Sequence, residues 1–217
     1  MSFFQYAHSH EKFFKAQGRA SQIKRGQLLT NNLSDNTNVF FLYKGLVQVS
    51  FNLLDGSERL IGYFLPGMTF AQSGSFFQDD GGQLEYTTVQ PSTIYHISRD
   101  IFQKQLQTNQ QFNTDYLDMV LRNQIFLIDR IVYQGENGAE KKFIKWLLFM
   151  AKYYGCQTKN NEVKITIPIS QEGIANFLHV TRVSVNKIIR EMRTKDLIRI
   201  EQKQIIICDA NTLRNLL

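Results

Sequence analysis

The sequence predicts an α+β chain in which an N-terminal β-roll is joined by a long helix to a C-terminal winged helix-turn-helix. Three observations predict it. Short runs rich in Val, Ile, Phe and Tyr, broken by Gly, Asn and Asp, fill the chain from about Gln22 to Ser98; the period turns helical from Arg99 to Gln134; and Ile169 to Met192, ISQEGIANFLHVTRVSVNKIIREM, reads as two short helices around a tight turn. With 217 residues, 43% of them hydrophobic, the chain is long enough to bury two modest cores. The expected divisions are 1–108 for the roll, 109–134 for the long helix and 141–217 for the winged part.

In the roll, the runs VFFLYKG, LVQVSFNLLDG, ERLIGYFLPG and LEYTTVQPSTIYHIS have the length and polar punctuation of antiparallel strands. Gly45, Gly56 and Gly67 fall 11 residues apart, a spacing that suits one strand plus one turn repeated around a roll. Leu54-Asp55-Gly56-Ser57 is a hairpin signal. The least regular stretch is Phe70 to Gly82, FAQSGSFFQDDGG. Phe70, Gln72, Ser73, Gly74 and Ser75, with Glu85 and Tyr86 nearby, form the candidate effector-contacting set; the alternative is a surface turn held down by Phe76 and Phe77. Phe70 to Gly82 contains no Lys or Arg, which argues against a phosphate ligand.

Arg99 to Gln107 predicts a short helix and Gln110 to Gln134 a long one. Its apolar coverage is too broad for one partner, so one face is expected on the roll and another on a second subunit. Phe112, Tyr116, Met119, Asn123, Phe126 and Arg130 recur at heptad-like spacing and are the expected dimer seam, with Asn123 setting register. The segment QGENGAE, Gln134 to Glu140, then breaks the helix and marks a hinge.

Charge is divided unevenly along the chain. Residues 1–140 hold 11 Lys/Arg against 13 Asp/Glu, whereas residues 141–217 hold 14 against 6, so the positive field belongs to the end that carries the helix pair. No stretch is apolar enough to span a membrane and the start lacks a signal-peptide pattern, so the expected compartment is the cytoplasm. Two cysteines, Cys156 and Cys208, set no disulfide framework.

Lys141 to Tyr154 predicts an amphipathic helix with Phe143, Trp146, Leu147 and Met150 inward. EVKITIPIS follows as a strand leading to Ser170, the N-cap of a helix from Gln171 to Leu178. His179 and Val180 form the turn, and Thr181 caps a second helix, Arg182 to Arg193, that buries Val185, Ile188, Ile189 and Met192. Arg182, Val183, Ser184, Asn186 and Lys187 are left near its exposed first half. A major groove admits one helix, whose first turns reach base edges. Arg182 is expected on a base or phosphate, Lys187 on guanine O6/N7 or phosphate, Ser184 in short polar contacts and Val183 on a thymine methyl, while Ser170 and Thr181 suit phosphate. Leu197 to Asp209 reads as a hairpin wing from which Arg199 and Lys203 reach phosphate.

These residues resemble the Crp/Fnr family of bacterial transcription regulators over roughly Ile23 to Asp209. The match rests on Arg25-Gly26, Phe41-Leu42-Tyr43-Lys44-Gly45, Asp55-Gly56 and Pro66-Gly67, and more specifically on Ser170, Gln171, Ile174, Ala175, Thr181-Arg182, Val185, Leu197-Ile198 and the strand Ile205 to Asp209. The resemblance implies a cyclic-nucleotide-binding-like β-roll, a homodimer, a near-palindromic site on double-stranded DNA and contact with RNA polymerase. It implies the expected departures too. Val183 stands where the family's recognition helix usually has Glu, removing the acceptor for cytosine N4, and Lys187 replaces Arg. His179 stands where the turn often has Gly.

Relatives that bind cyclic nucleotides use a Gly-Glu pair for the ribose and an Arg for the phosphate. The matching stretches here, Phe70-Ala71-Gln72-Ser73 and Leu84-Glu85-Tyr86-Thr87, have neither, and burying a phosphate opposite Glu85 without a basic partner is costly, so cyclic AMP is disfavoured. An iron-sulfur cluster needs a set of cysteines the chain lacks, and His8, His10, His96 and Cys156 offer no convincing haem ligand pair. An unidentified small molecule in the roll, a constitutive binder whose roll is only a dimer scaffold, and a non-DNA interaction module are the readings left open. No His-x-His set or paired acid and base marks the roll as an enzyme.

Overall fold

The computed structural model describes residues 8–29, 38–54, 56–71, 82–134, 138–158, 160 and 162–217. The chain divides into two compact units within its long helix: a roll unit ending at Leu121 and a winged unit from Arg122 to Leu217.

The roll unit begins with α1 (His8–Gln17), followed by β1 (Arg19–Ile23), β2 (Asn38–Leu53), β3 (Glu58–Phe64), β4 (Thr69–Ala71), β5 (Gly82–Ser98) and α2 (Arg99–Thr108). The sheet order is β1-β5-β2-β3, with β4 on β2. Strands β2 and β5 pair antiparallel from Asn38↔Ser98 to Leu53↔Gly82, and their register shifts between Leu42 and Val47. Such irregularities bend a long strand pair and let it coil into a roll. Gly45 sits at that bend with φ 114°, and a Cβ there would meet Ser92 Oγ at 2.1 Å. Gly56 and Gly67 also have positive φ, so the 11-residue spacing marks three backbone positions that favour glycine.

Alternation along β2 builds two cores from one strand. Phe40, Leu42, Val47 and Val49 join Ile23, Leu29, Phe70, Tyr86 and Ile94 inside the roll, while Val39 and Phe41 join Phe14, Ile97, Phe102 and Phe112 beneath the helices. Each fully buried Phe or Leu contributes about 1.5–3 kcal/mol.

Helix α3 (Gln110–Gln134) serves both units. In the roll unit Phe112 stacks on His10, and the Met119 sulfur accepts the Thr69 N–H at 3.4 Å. In the winged unit Phe126 packs against Phe149 and Tyr153, with centroids 5.1 and 4.9 Å apart. Here the expected dimer seam is corrected. Phe112, Met119 and Phe126 are 1%, 3% and 7% exposed, and Tyr116, Asn123 and Arg130 are half-buried, so this face is turned into its own protomer. The exposed apolar stripe is instead Leu117, Leu121, Ile125, Ile128 and Val132. Both faces recur at helical spacings of three and four, and the bulky aromatic one gains more from burial.

The winged unit continues with α4 (Ala139–Tyr154), β6 (Gly155–Gln157), β7 (Val163–Ile165), α5 (Gln171–Leu178), α6 (Arg182–Thr194), β8 (Ile198–Glu201), β9 (Gln204–Ile207) and α7 (Ala210–Asn215). Its sheet order is β6-β7-β9-β8. Phe143, Trp146, Leu147 and Met150 of α4 are all buried, as their spacing predicts.

Candidate DNA-binding face

The helix pair α5 and α6 is held by two similar caps. Ser170 Oγ accepts the Gly173 N–H at 3.0 Å, and Thr181 Oγ1 accepts the Ser184 N–H at 3.1 Å. Each hydroxyl satisfies a helix-end donor, a capping contact worth about 1 kcal/mol. Between them His179 takes the left-handed conformation, φ 54° and ψ 46°, that favours Gly. This costs roughly 1–2 kcal/mol in an L-residue. The Val180 N–H closes the turn onto Ala175 O at 3.1 Å.

On α6, Val185, Ile188, Ile189 and Met192 are buried. The opposite face exposes Thr181, Arg182, Val183 and Lys187 to solvent, with Ser184 and Asn186 half-buried among them. Val183 is 78% exposed, an apolar side chain set between two cations. No acidic residue sits in the first turn of α6, so its positive end is unopposed by charge within that turn. Lys187 Nζ is 4.0 Å from Glu191, a long exposed pair that leaves the ammonium available.

Sequence reasoning missed Arg190. It is exposed, four residues beyond Asn186 and eight beyond Arg182, and so continues the same helical face. Its four-residue spacing from Asn186 is the signal that marks it.

The wing is β8 and β9, joined by Gln202 and Lys203 with φ 50° and 65°. Two successive left-handed residues make the tight turn whose twist matches a hairpin, and Lys203 is exposed at its tip. Arg199 does not share that position. Its guanidinium holds Glu162 through both terminal nitrogens, donates from Nε to Glu201 at 2.7 Å and lies 3.6 Å from Cys208 Sγ. Bonding to Glu162 and Glu201 raises its pKa, and the same contact pulls the Glu162 carboxyl down. Arg199 is therefore spent on joining the wing to its own sheet, which corrects its expected phosphate contact.

The effector-contacting set divides differently. Gln72, Ser73, Gly74 and Ser75 lie outside the described residues. Phe70 and Tyr86 are 7% and 4% exposed and stack with Phe64 and each other, at centroid distances of 4.7 Å for Phe64–Phe70 and 5.4 Å for Phe70–Tyr86. Both pack in the roll interior, and Phe70 also borders a cavity of about 320 Å³ beside Phe102 and Tyr116. Tyr63 is also buried, one position from Phe64 and so on the other face of β3. Glu85 is half-buried.

A β-roll unit followed by a capped helix pair, a basic exposed second helix and a β-wing defines a β-roll and winged-helix type of DNA-binding protein. Residues 141–216 match the Crp-like helix-turn-helix domain, and residues 21–109 match the cyclic nucleotide-binding domain. The lactate racemization regulatory protein of Lactiplantibacillus plantarum is 26% identical over 88% of this chain and 87% of its own. The cAMP-activated global transcriptional regulator CRP of Haemophilus influenzae is 24% identical over 81% of this chain and 78% of its own. In fold, a CooA variant from Carboxydothermus hydrogenoformans superposes with a TM-score of 0.74 at 17% identity, covering 100% of this chain and 95% of that one. FixK2 from Bradyrhizobium japonicum gives 0.70 at 17% identity, covering 92% and 96%.

The chain belongs to the Crp/Fnr family of transcription regulators. It is a DNA-binding transcription regulator. No helix among the described residues is long and apolar enough to cross a membrane.

Proposed function

We propose that two copies of the chain bind a near-palindromic duplex site, each placing α6 in the major groove. The observation that carries this is the single face of α6 on which Arg182, Val183, Asn186, Lys187 and Arg190 lie together above a buried apolar stripe. Arg182 and Lys187 contact guanine O6/N7 or phosphate, Val183 a thymine methyl, and Ser184 and Asn186 polar base edges. Ser170 and Thr181 use their oxygens to cap helices, and as hydroxyls they can also donate to phosphate. Lys203 at the wing tip adds a phosphate contact. With Val183 in place of the family's Glu, the half-site departs from the commonest consensus at the base pair that Glu would read. The exposed apolar stripe of α3 forms the dimer contact, and family membership supports contact with RNA polymerase.

For the roll, the aromatic stack of Phe40, Phe64, Phe70 and Tyr86 favours the second reading, a scaffold that needs no ligand in its interior. The Haemophilus influenzae relative is named as cAMP-activated; half-buried Glu85 and the tight stack about Tyr86 support a regulator that does not use that nucleotide.

The test is competition binding at fixed salt to a duplex selected from genomic fragments. Arg182→Ala and Lys187→Ala are each expected to weaken specific binding by about 1–3 kcal/mol and to relax preference at one base pair. Unchanged sequence preference in both variants would contradict the assignment.

A further inference from the structure

The roll unit holds a cleft of about 490 Å³ between α1 and α2 that reaches the start of α3. Its wall is partly aromatic: Phe13 of α1 and Phe112 of α3 meet edge to face with ring centroids 4.9 Å apart. Ile101, 43% exposed, adds an aliphatic side. The same lining carries two ammonium groups, Lys12 from α1 and Lys104 from α2, and no Asp or Glu. Of the neighbouring acids, Glu11 pairs with Lys15 at 2.6 Å and Asp115 accepts from Gln111 at 2.9 Å and from Ser9, while Asp100, one turn before Lys104 on α2, lies outside the lining. Among the described residues neither Lys12 nor Lys104 is paired with a carboxylate.

We propose that this cleft binds a small amphipathic anion, an aryl or short alkyl group bearing a carboxylate or phosphate head. The apolar body lies against Phe13 and Ile101, with Phe112 buried behind Phe13, and the head is held by Lys12 and Lys104. The volume falls within the roughly 300–1,000 Å³ range of small-molecule sites. Two like charges on one concave wall repel, and an anion between them replaces that repulsion with two attractions. An apolar wall beside the cations selects against inorganic ions, which bring no surface to bury. Because Lys12 and Lys104 come from different helices, occupancy ties α1 to α2. The site is separate from the roll interior, so it supplies a place for an effector even where that interior is filled.

The test uses the full chain and two probes, phenylacetate and phenyl phosphate, each followed by saturation-transfer NMR. At least one probe is expected to bind, and which one binds identifies the head group. Affinity is expected to fall about tenfold or more in the Lys12→Gln/Lys104→Gln double variant, as expected for loss of charge-assisted contacts. Ala16→Phe, which places a ring in the cleft from an exposed position of α1 without changing charge, is expected to abolish binding. Failure of both probes to bind, or binding that survives either set of substitutions, would overturn the proposal.

Discussion

The guanidinium of Arg130 lies 4.5 Å from the centroid of the Phe177 ring, which joins the second half of α3 to the first helix of the DNA-reading pair. Burial lowers the Arg130 pKa to about 10, so it remains a cation at neutral pH. Arg130→Ala removes both the cation–π contact and the packing of the stem and is expected to destabilise the winged unit by about 2 kcal/mol. Chemical denaturation followed through Trp146 fluorescence measures it, and an unchanged midpoint would contradict the role.

Arg199 and Lys203 separate structure from binding. Lys203→Ala is expected to lower the slope of log affinity against log salt by about 0.9, the value of one phosphate contact. Arg199→Gln is expected to leave that slope unchanged and to lower the melting temperature. Because Arg199 depresses the Glu162 pKa, the stability from this pair is present above the ordinary carboxyl range and is lost as pH falls through it. Salt titrations of binding beside thermal melts distinguish the two residues.

The two faces of α3 should fail differently. Leu121→Glu with Ile128→Glu places charge on the exposed stripe and is expected to yield folded monomers by sedimentation velocity, with weakened DNA binding. Phe112→Ala or Phe126→Ala instead opens a cavity inside the protomer and is expected to cost about 3–5 kcal/mol of folding stability.

His10 is 2% exposed, stacked at 4.3 Å on Phe112, with Nδ1 3.2 Å from Thr69 Oγ1 and Nε2 3.4 Å from Phe112 O. Burial lowers its pKa, outweighing the Phe112 carbonyl and Asp115, which raise it. The unfolded chain therefore takes up the proton first, and the stability of the roll unit falls as pH drops below about 6.5, the ordinary histidine value. His10→Gln is expected to flatten this dependence across pH 5–7 in melts; an unaltered slope would contradict it.

Much of this was legible in the sequence because local chemistry and tertiary demand agreed. Ser170 and Thr181 cap where their positions before apolar periodic runs predict, and Val185, Ile188, Ile189 and Met192 turn inward at the expected spacing. The glycines at 45, 56 and 67 announced positive φ through their regular interval. What escaped depended on partners distant in the chain. The heptad spacing of Phe112, Met119 and Phe126 cannot say whether their partner is another copy or Phe14, Thr69 and Tyr153. Arg199 looked free because Glu162, 37 residues away, reaches it only once β7, β9 and β8 are assembled. The helix at His8–Gln17 buries Phe14 against Phe41, a contact for which the local sequence carries no signal.

The most direct measurement is selection of genomic fragments by the purified full chain, without added small molecule, at a salt concentration of about 0.15 M, since affinity depends on salt. A shared inverted repeat with half-sites about one helical turn apart is the result predicted for two α6 helices in successive major grooves. Enrichment without a repeat, or none at this salt and none at lower salt, would contradict a dimer that reads DNA through α6.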